Sequence, residues 1–179
     1  MLDQLKNITT FVFDVDGVLT DGTILITETG EQLRQYNIKD GYAIQLALQK
    51  GFQVCIITGA KSASVGLRLT GLGIKHIYLG ASYKLPLFND FLSKTGLKES
   101  EVVYVGDDLP DQEIMRKVAI AVAPADAVQE IKDTANYISP FNGGKGVVRN
   151  IIEKVLKVQG KWFVEKPNAD DGQKNNLNL

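Results

Sequence analysis

The chain has 179 residues, of which 44% are hydrophobic, and a formal net charge of −1 at pH 7. This length and composition allow one well-buried domain and leave little chain for a second. The mixed charge does not indicate nucleic-acid binding, no apolar run reaches the roughly 18 residues that span a membrane, and residues 1–10 lack the basic start of a signal peptide. The single cysteine, Cys55, cannot form an internal disulfide and favours a cytoplasmic location.

Short apolar runs typical of buried strands alternate along the chain with stretches typical of helices. The predicted strands are residues 10–15, 52–58, 76–79, 102–105, 120–122 and 137–138. The predicted helices are residues 41–50, 62–72, 85–95, 111–117, 127–134 and 146–159. Asp40 is expected to cap the first helix. The alternation favours an α/β fold with a central parallel sheet and right-handed crossovers.

A predicted β-hairpin, residues 22–37, interrupts this alternation. Two stretches of alternating polarity flank the turn signal Glu28-Thr29-Gly30. The insertion is too short to be a domain, and it could be a flap or a sheet edge that pairs with another subunit. The tail, residues 166–179, is rich in Asn, Asp, Gln and Lys and is expected to be disordered, which leaves residues 1–165 as the domain.

Two aspartates follow the first predicted strand, since the apolar run ends in Asp14-Val15-Asp16-Gly17. Side chains at positions i and i+2 of an extended chain point to the same side, so both carboxylates should face one small volume. Open α/β folds bind ligands at this end of their strands. Two anions at such close range need a cation or a shared proton, so the pair is a candidate metal site or nucleophile.

Other polar groups follow the second core strand and the 102–105 strand. Thr58-Gly59 offers a hydroxyl and backbone N–H groups that suit a phosphoryl oxygen. The run Asp107-Asp108 is followed by Asp111, and Lys84 precedes an apolar helix. A carboxylate can attack phosphorus, and Mg²⁺ prefers oxygen ligands, so the set of groups suits phosphoryl transfer.

Each of these groups also has a structural interpretation. Asp14 and Asp16 could form a turn after a strand, Lys84 could be a solvated lysine, and Asp107-Asp108 could cap a helix. Their appearance in order, each at a strand end or a helix start, favours a functional site.

The run Asp14-Val15-Asp16-Gly17-Val18-Leu19-Thr20 resembles the D-x-D-G-x-[LVT]-T motif of the haloacid dehalogenase-like phosphatases. Thr58, Lys84 and the run Gly106-Asp107-Asp108 with Asp111 then fall in the second, third and fourth motifs of that superfamily. The resemblance covers about residues 8–160. It implies a Rossmann-like three-layer fold and a hydrolase of phosphate monoesters.

The resemblance also implies roles for the aspartates. Asp14 would be the nucleophile that forms an aspartyl-phosphate, and Asp16 would be the general acid and base. Mg²⁺ would bind the side chains of Asp14 and Asp107 and the backbone carbonyl of Asp16. Asp108 and Asp111 would be supporting carboxylates.

The phosphate and the rest of the substrate have their own implied contacts. Thr58, Gly59 and Lys84 would hold the phosphate. Since the chain has no room for a cap domain, it resembles the capless branch, which includes the 3-deoxy-D-manno-octulosonate 8-phosphate (KDO-8-phosphate) phosphatases. Their substrate loop resembles Asn37-Ile38-Lys39-Asp40-Gly41, and Arg68 matches a substrate-binding arginine.

This branch implies an assembly and a pathway as well. In the subfamily the hairpins assemble a homotetramer, and neighbouring subunits complete each active site. The run Gly143-Gly144-Lys145-Gly146 resembles its glycine-rich C-terminal loop, although a plain flexible loop is equally compatible with that composition. A KDO-8-phosphate phosphatase would act in lipopolysaccharide precursor synthesis.

Two departures affect the choice of sugar. Many family members have an arginine where this chain has Ala60, and another where it has Gln45. Phosphatases for nine-carbon sugar acids (KDN or sialic acid 9-phosphate) tend to carry a glutamate at position 60, which is also absent. The run at residues 37–41 favours the eight-carbon substrate. A non-catalytic assembly subunit is the alternative from a different class, and a mutase would usually need a cap.

Overall fold

In the computed structural model, which describes residues 2–162, a six-stranded parallel sheet lies between two layers of helices. The strands are β1 (Thr10–Phe13), β2 (Leu25–Ile26), β3 (Gln32–Leu33), β4 (Gln53–Ile57), β5 (His76–Tyr78), β6 (Val102–Val105), β7 (Ile120–Ala123) and β8 (Tyr137–Ile138). The helices are α1 (Leu2–Asn7), α2 (Ile38–Gln49), α3 (Ala63–Gly71), α4 (Lys84–Thr95), α5 (Gln112–Met115), α6 (Gln129–Thr134) and α7 (Val147–Val158). Single 3-10 turns occupy Glu99–Glu101 and Leu109–Asp111.

The sheet has the order β5-β4-β1-β6-β7-β8, and every neighbouring pair is parallel. Alternate residues of each strand enter two separate core clusters, because successive side chains point to opposite faces. Phe11 and Phe13 of β1 pack with residues of α1, α2, α3 and α7, whereas Val12 packs with residues of α4, α5 and α6. This confirms the predicted three-layer α/β fold with a central parallel sheet.

The predicted hairpin insertion is also confirmed. β2 and β3 form an antiparallel ladder of their own, with Leu25 opposite Leu33 and Ile26 opposite Gln32. All four of these residues are exposed. The strands are only two residues long, and an isolated two-stranded ribbon is marginally stable in water.

The start of α2 differs from the prediction. The helix begins at Ile38, and Asn37 caps it by accepting a hydrogen bond from the Lys39 N–H at 2.9 Å. Asp40 is therefore not the cap but lies in the first turn, where it is buried. Its Oδ1 accepts a 2.7 Å hydrogen bond from the Arg149 N–H, so Asp40 joins α2 to the first turn of α7.

Two further elements were not predicted. α1 has a single buried residue, Leu5, and the 3-10 turn at Glu99–Glu101 has none, so neither carries the apolar periodicity on which prediction depends. Within residues 2–162, each helix is too short or too polar to cross a bilayer. The predicted tail, residues 166–179, and the predicted domain end at residue 165 lie outside the described residues.

Candidate active site

The carboxyl ends of β4, β1 and β6 lie side by side at the centre of the sheet. Phe13 is in register with Ile56 on one side and Val105 on the other, so the residues that follow these three strands emerge at one edge. They open into a cleft of about 360 Å³. Eight of the predicted site residues line it, namely Asp14, Asp16, Thr58, Gly59, Lys84, Asp107, Asp108 and Asp111.

Lys84 is the buried cation of this cleft. It is the first residue of α4, it is 5% exposed, and its Nζ lies 2.9 Å from Asp14 Oδ1 and 2.6 Å from Asp111 Oδ1. Desolvation lowers the pKa of the Lys84 ammonium, but the two carboxylates outweigh it and the net pKa is raised. Lys84 is therefore charged near neutral pH.

Asp111 holds this lysine in place. Its Oδ1 also accepts a 2.5 Å hydrogen bond from the Tyr104 hydroxyl, and its Oδ2 accepts one of 3.2 Å from the Asp107 N–H. Tyr104 is buried in the core beneath the cleft. Because both oxygens of Asp111 have donors, its carboxylate holds Lys84 and the turn after β6 in place, and its supporting role in chemistry stays a prediction.

Negative charge is in excess despite Lys84. Carboxylate oxygens of Asp14, Asp107 and Asp111 lie within 4.8 Å of one another. Burial, together with the charge of Asp111, raises the pKa of Asp14 to about 7, and burial with the charges of Asp14 and Asp111 raises the pKa of Asp107 to about 8. Oδ1 of Asp14 is buried, and within residues 2–162 it has the ionic contact to Lys84 but no well-aligned hydrogen bond. A divalent cation would relieve this crowding.

Thr58 and the backbone after it form the opposite wall. Thr58 is buried, and its Oγ1 accepts a 3.2 Å hydrogen bond from the Ala60 N–H. Among the described residues, its hydroxyl proton has no acceptor, so it is free to donate to an anion. Gly59 and Ala60 line the cleft beside it, and Ala60 adds no charge to this wall.

One cation of the site, Arg34, was not predicted from the sequence. Its Nε and Nη2 donate to the two carboxylate oxygens of Asp16 at 2.7 and 2.9 Å. Arg34 follows the second hairpin strand, 18 residues after Asp16. A signal for it exists in the sequence, because a carboxylate pair needs a cation and Arg34 is the first basic residue after the pair.

Asp108 lies at the exposed rim of the cleft. Its Oδ1 accepts a 2.7 Å hydrogen bond from the Leu109 N–H, which caps the following 3-10 turn. The capping interpretation of this residue therefore has direct structural support, and its supporting role in chemistry stays a prediction.

The predicted substrate loop lies outside the cleft. Asn37 and Lys39 line a separate cavity of about 570 Å³, while Ile38 is 82% exposed. Asp40 and Gly41 are buried in α2. The predicted substrate-binding arginine, Arg68, lies with its guanidinium 5.9 Å from the ring centre of Tyr36 and is not among the cleft residues.

The glycine-rich loop, residues 143–146, packs on the turn that follows the aspartate pair. Gly144 donates a 2.9 Å hydrogen bond to the Val18 carbonyl, and a Cβ at Gly143 would collide with the Gly17 carbonyl oxygen. Gly17 itself has a φ of +89°, and a Cβ there would collide with the Asp107 carboxylate. Glycine at these positions lets the loop, the turn and Asp107 approach one another closely.

Comparison with known proteins agrees with this site. Residues 82–151 match the family described as haloacid dehalogenase-like hydrolase. The chain is 43% identical over 161 residues to 3-deoxy-D-manno-octulosonate 8-phosphate phosphatase KdsC of Salmonella typhi, covering 90% of this chain and 86% of that protein. The chain belongs to this phosphatase family.

Solved structures agree in fold. The 3-deoxy-D-manno-octulosonate 8-phosphate phosphatase of Yersinia pestis superposes with a TM-score of 0.88 at 36% identity, over 89% of this chain and 86% of that one. The 3-deoxy-D-manno-octulosonate 8-phosphate phosphatase of Moraxella catarrhalis was solved with a magnesium ion, a phosphate ion and a KDO molecule. It superposes with a TM-score of 0.86 at 34% identity, over 89% of this chain and 91% of that one. The predicted resemblance to capless phosphatases is confirmed, and the chain is a phosphoric monoester hydrolase.

The carboxylate crowding predicts a pH dependence of stability in metal-free protein. The pKa values of Asp14 and Asp107 are about 7 and about 8, above their ordinary value of 3.8. Between the ordinary and the raised pKa values, the folded state therefore binds more protons than the unfolded state. The free energy of unfolding should therefore fall as pH rises from about 5 to about 8. Asp107→Asn should reduce this fall by at least about 1.4 kcal/mol, the equivalent of one pKa unit.

Urea unfolding in the presence of a chelator at the two pH values measures this effect. Asp133→Asn, which changes an exposed aspartate on α6, is the matched control. An equal pH dependence of the free energy of unfolding in wild-type protein and Asp107→Asn would show that the crowded carboxylates do not cause it.

Proposed function

We propose that the chain hydrolyses KDO-8-phosphate to KDO and inorganic phosphate. The observation that carries the proposal is the cleft in which Lys84, held by Asp111, lies against the carboxylate of Asp14 with the Thr58 hydroxyl alongside. That arrangement supplies a nucleophile and cationic and hydroxyl partners for a phosphate. The relatives named above act on this sugar acid phosphate by name, and one was solved with KDO in place.

The proposed cofactor is Mg²⁺, held by the side chains of Asp14 and Asp107 and by the backbone carbonyl of Asp16. The residues fit the ion, because two crowded carboxylates with raised pKa values offer hard oxygen ligands at the open cleft. Asp111 fits less well as a ligand, since both of its oxygens already accept hydrogen bonds. When bound, Mg²⁺ would offset negative charge and polarise a phosphoryl oxygen.

The chemistry would proceed in two steps. In the first, a carboxylate oxygen of Asp14 forms a bond to phosphorus while the bond to the sugar oxygen breaks, and the Asp16 carboxyl gives its proton to that oxygen. In the second, Asp16 takes a proton from water, the water oxygen bonds to phosphorus, and the aspartyl-phosphate bond breaks to release phosphate. Lys84 and Thr58 stabilise the charge on the phosphoryl oxygens in both steps.

The substrate loop and Arg68 would act across a subunit boundary. Asn37, Lys39 and Arg68 lie outside this chain's own cleft, so we propose that they meet the sugar acid bound by a neighbouring subunit. This would also replace the charge that Ala60 lacks. A nine-carbon sugar acid phosphate is the second candidate substrate, because Ala60 and Gln45 depart from the arginines expected to contact the eight-carbon sugar acid.

We propose that the chain self-associates through the hairpin as a homotetramer, and the exposed apolar residues of the hairpin support a contact there. Leu25 is 68% exposed and Ile26 66%, on a ribbon whose edges are unpaired within residues 2–162. Exposed Ile38, Tyr42 and Leu67 lie on α2 and α3. We also propose a cytoplasmic location, which suits the reduced, buried thiol of Cys55.

Phosphate release across a panel of substrates tests the function. The panel holds KDO-8-phosphate, KDN and sialic acid 9-phosphates, and aldose phosphates, each with and without Mg²⁺. We expect Mg²⁺-dependent release with kcat/KM for KDO-8-phosphate at least about tenfold above the others. Asp14→Asn should lower kcat by roughly 10³-fold or more, because it removes the nucleophile, while Asp133→Asn should leave kcat unchanged.

Each other result has a defined meaning. A preference for a nine-carbon acid would keep the mechanism and replace the substrate. Absence of release from every phosphate would contradict the enzyme function and would favour the assembly subunit. Full activity of Asp14→Asn would overturn the assigned nucleophile.

Charge on the hairpin should disrupt the assembly. Leu25→Lys and Ile26→Lys place a charge on the proposed contact surface, so light scattering should show a change from tetramer to smaller species. Leu2→Lys, at an equally exposed leucine of α1, is the matched control and should stay tetrameric. A monomeric wild-type protein, or hairpin variants with unchanged mass, would contradict the proposed interface.

A further inference from the structure

Arg34 and Asp16 form a two-point contact that the family motifs do not include. The guanidinium donates from Nε to Asp16 Oδ1 at 2.7 Å and from Nη2 to Oδ2 at 2.9 Å. We propose that Arg34 is a positioning residue, which holds the Asp16 carboxyl in the orientation needed to give a proton to the leaving oxygen. This inference rests on the proposed function, in which Asp16 is the general acid.

The guanidinium is itself fixed in place. Its third nitrogen, Nη1, donates to Ser62 Oγ at 3.2 Å and to the Gln32 carbonyl at 3.4 Å. Ser62 is the residue before α3, and Gln32 belongs to β3. The Arg34 side chain is 3% exposed. All three nitrogens thus have acceptors, and one arginine joins the hairpin, the turn after β1 and the start of α3.

Asp16 depends on this contact for its orientation. Its side chain is 30% exposed, and its other hydrogen-bond partner within residues 2–162 is the Thr20 hydroxyl, at a long 3.3 Å from Oδ1. A single long hydrogen bond leaves the carboxyl free to rotate, whereas a planar two-point contact fixes both the side chain and the plane of the carboxyl group. Lysine has no such planar fork, so it would replace the charge but not the geometry.

The two carboxylates of the motif therefore have separate cations. Lys84 contacts Asp14, and Arg34 contacts Asp16. As the phosphorus–oxygen bond to the sugar breaks, the proton leaves the Asp16 carboxyl for the sugar oxygen and leaves a carboxylate behind. Arg34 faces that developing negative charge and stabilises it, which a neutral side chain would not do.

The leaving group gives the test. Release of a sugar alkoxide needs a proton from Asp16, whereas release of 2,4-dinitrophenolate needs none. For Arg34→Met we expect kcat with KDO-8-phosphate to fall about 100-fold, in the range of general acid catalysis, with KM changed less than about threefold. With 2,4-dinitrophenyl phosphate, the rate of the first-turnover burst of 2,4-dinitrophenolate should fall less than about threefold. This burst reports phosphoryl transfer to Asp14, before Asp16 acts as the base toward water. Arg34→Lys should recover only part of the loss.

Three further proteins serve as controls. Asp16→Asn should show the same dependence on leaving group, and the double variant Arg34→Met/Asp16→Asn should lose no more than Asp16→Asn alone, because Arg34 acts through Asp16. Arg116→Met, at an exposed arginine after α5, should match wild-type protein on both substrates. Circular dichroism melting and light scattering show whether each variant is folded and assembled.

The outcomes separate the possibilities. Equal losses on both substrates in a folded variant, a change in KM alone, or a gain in activity would each overturn the positioning role. If wild-type protein hydrolyses 2,4-dinitrophenyl phosphate but not KDO-8-phosphate, the proposed substrate fails, and glycerol 2-phosphate replaces it in the same comparison. If wild-type protein hydrolyses none of these esters, the proposed function fails before Arg34 is tested.

Discussion

The contact of the buried Lys84 ammonium with two carboxylates is the interaction on which the site depends. Asp14 and Asp111 lie 2.9 and 2.6 Å from its Nζ, and Asp111 is fixed in turn by the Tyr104 hydroxyl in the core. A lone buried ammonium or carboxylate would be strongly disfavoured, so each member needs the others. Even so, the pKa values of Asp14 and Asp107 are raised, because Lys84 does not balance all the negative charge of the cleft.

The parallel sheet explains why these groups meet. Strands β4, β1 and β6 are neighbours, and their register brings Ile56, Phe13 and Val105 level with one another. The polar residues that follow each strand therefore emerge at one edge, although they come from segments far apart in sequence. The core beneath the site is apolar on both faces of the sheet. The polar groups therefore lie at the strand ends, where they face the open cleft.

Local patterns predicted the sheet, the hairpin and the residues of the cleft, because strand ends and motif spacing are properties of short segments. The sequence signals that the aspartate pair needs a cation. That Arg34 meets Asp16 depends on how the hairpin folds back over the turn after β1, which is not a property of a short segment. The same holds for Asp40, whose partner Arg149 is 109 residues away. The predicted substrate residues Asn37 and Lys39 lie outside the cleft, which a reading of motifs could not show.

Transfer of the phosphoryl group to Asp14 can be tested directly. Wild-type protein is mixed with KDO-8-phosphate and Mg²⁺, quenched rapidly in acid, digested, and examined by mass spectrometry for a phosphorylated peptide. We expect phosphate on the peptide that contains Asp14, formed and lost at rates that match turnover. Steady hydrolysis without any phosphorylated Asp14, under conditions that preserve an acyl phosphate, would contradict it.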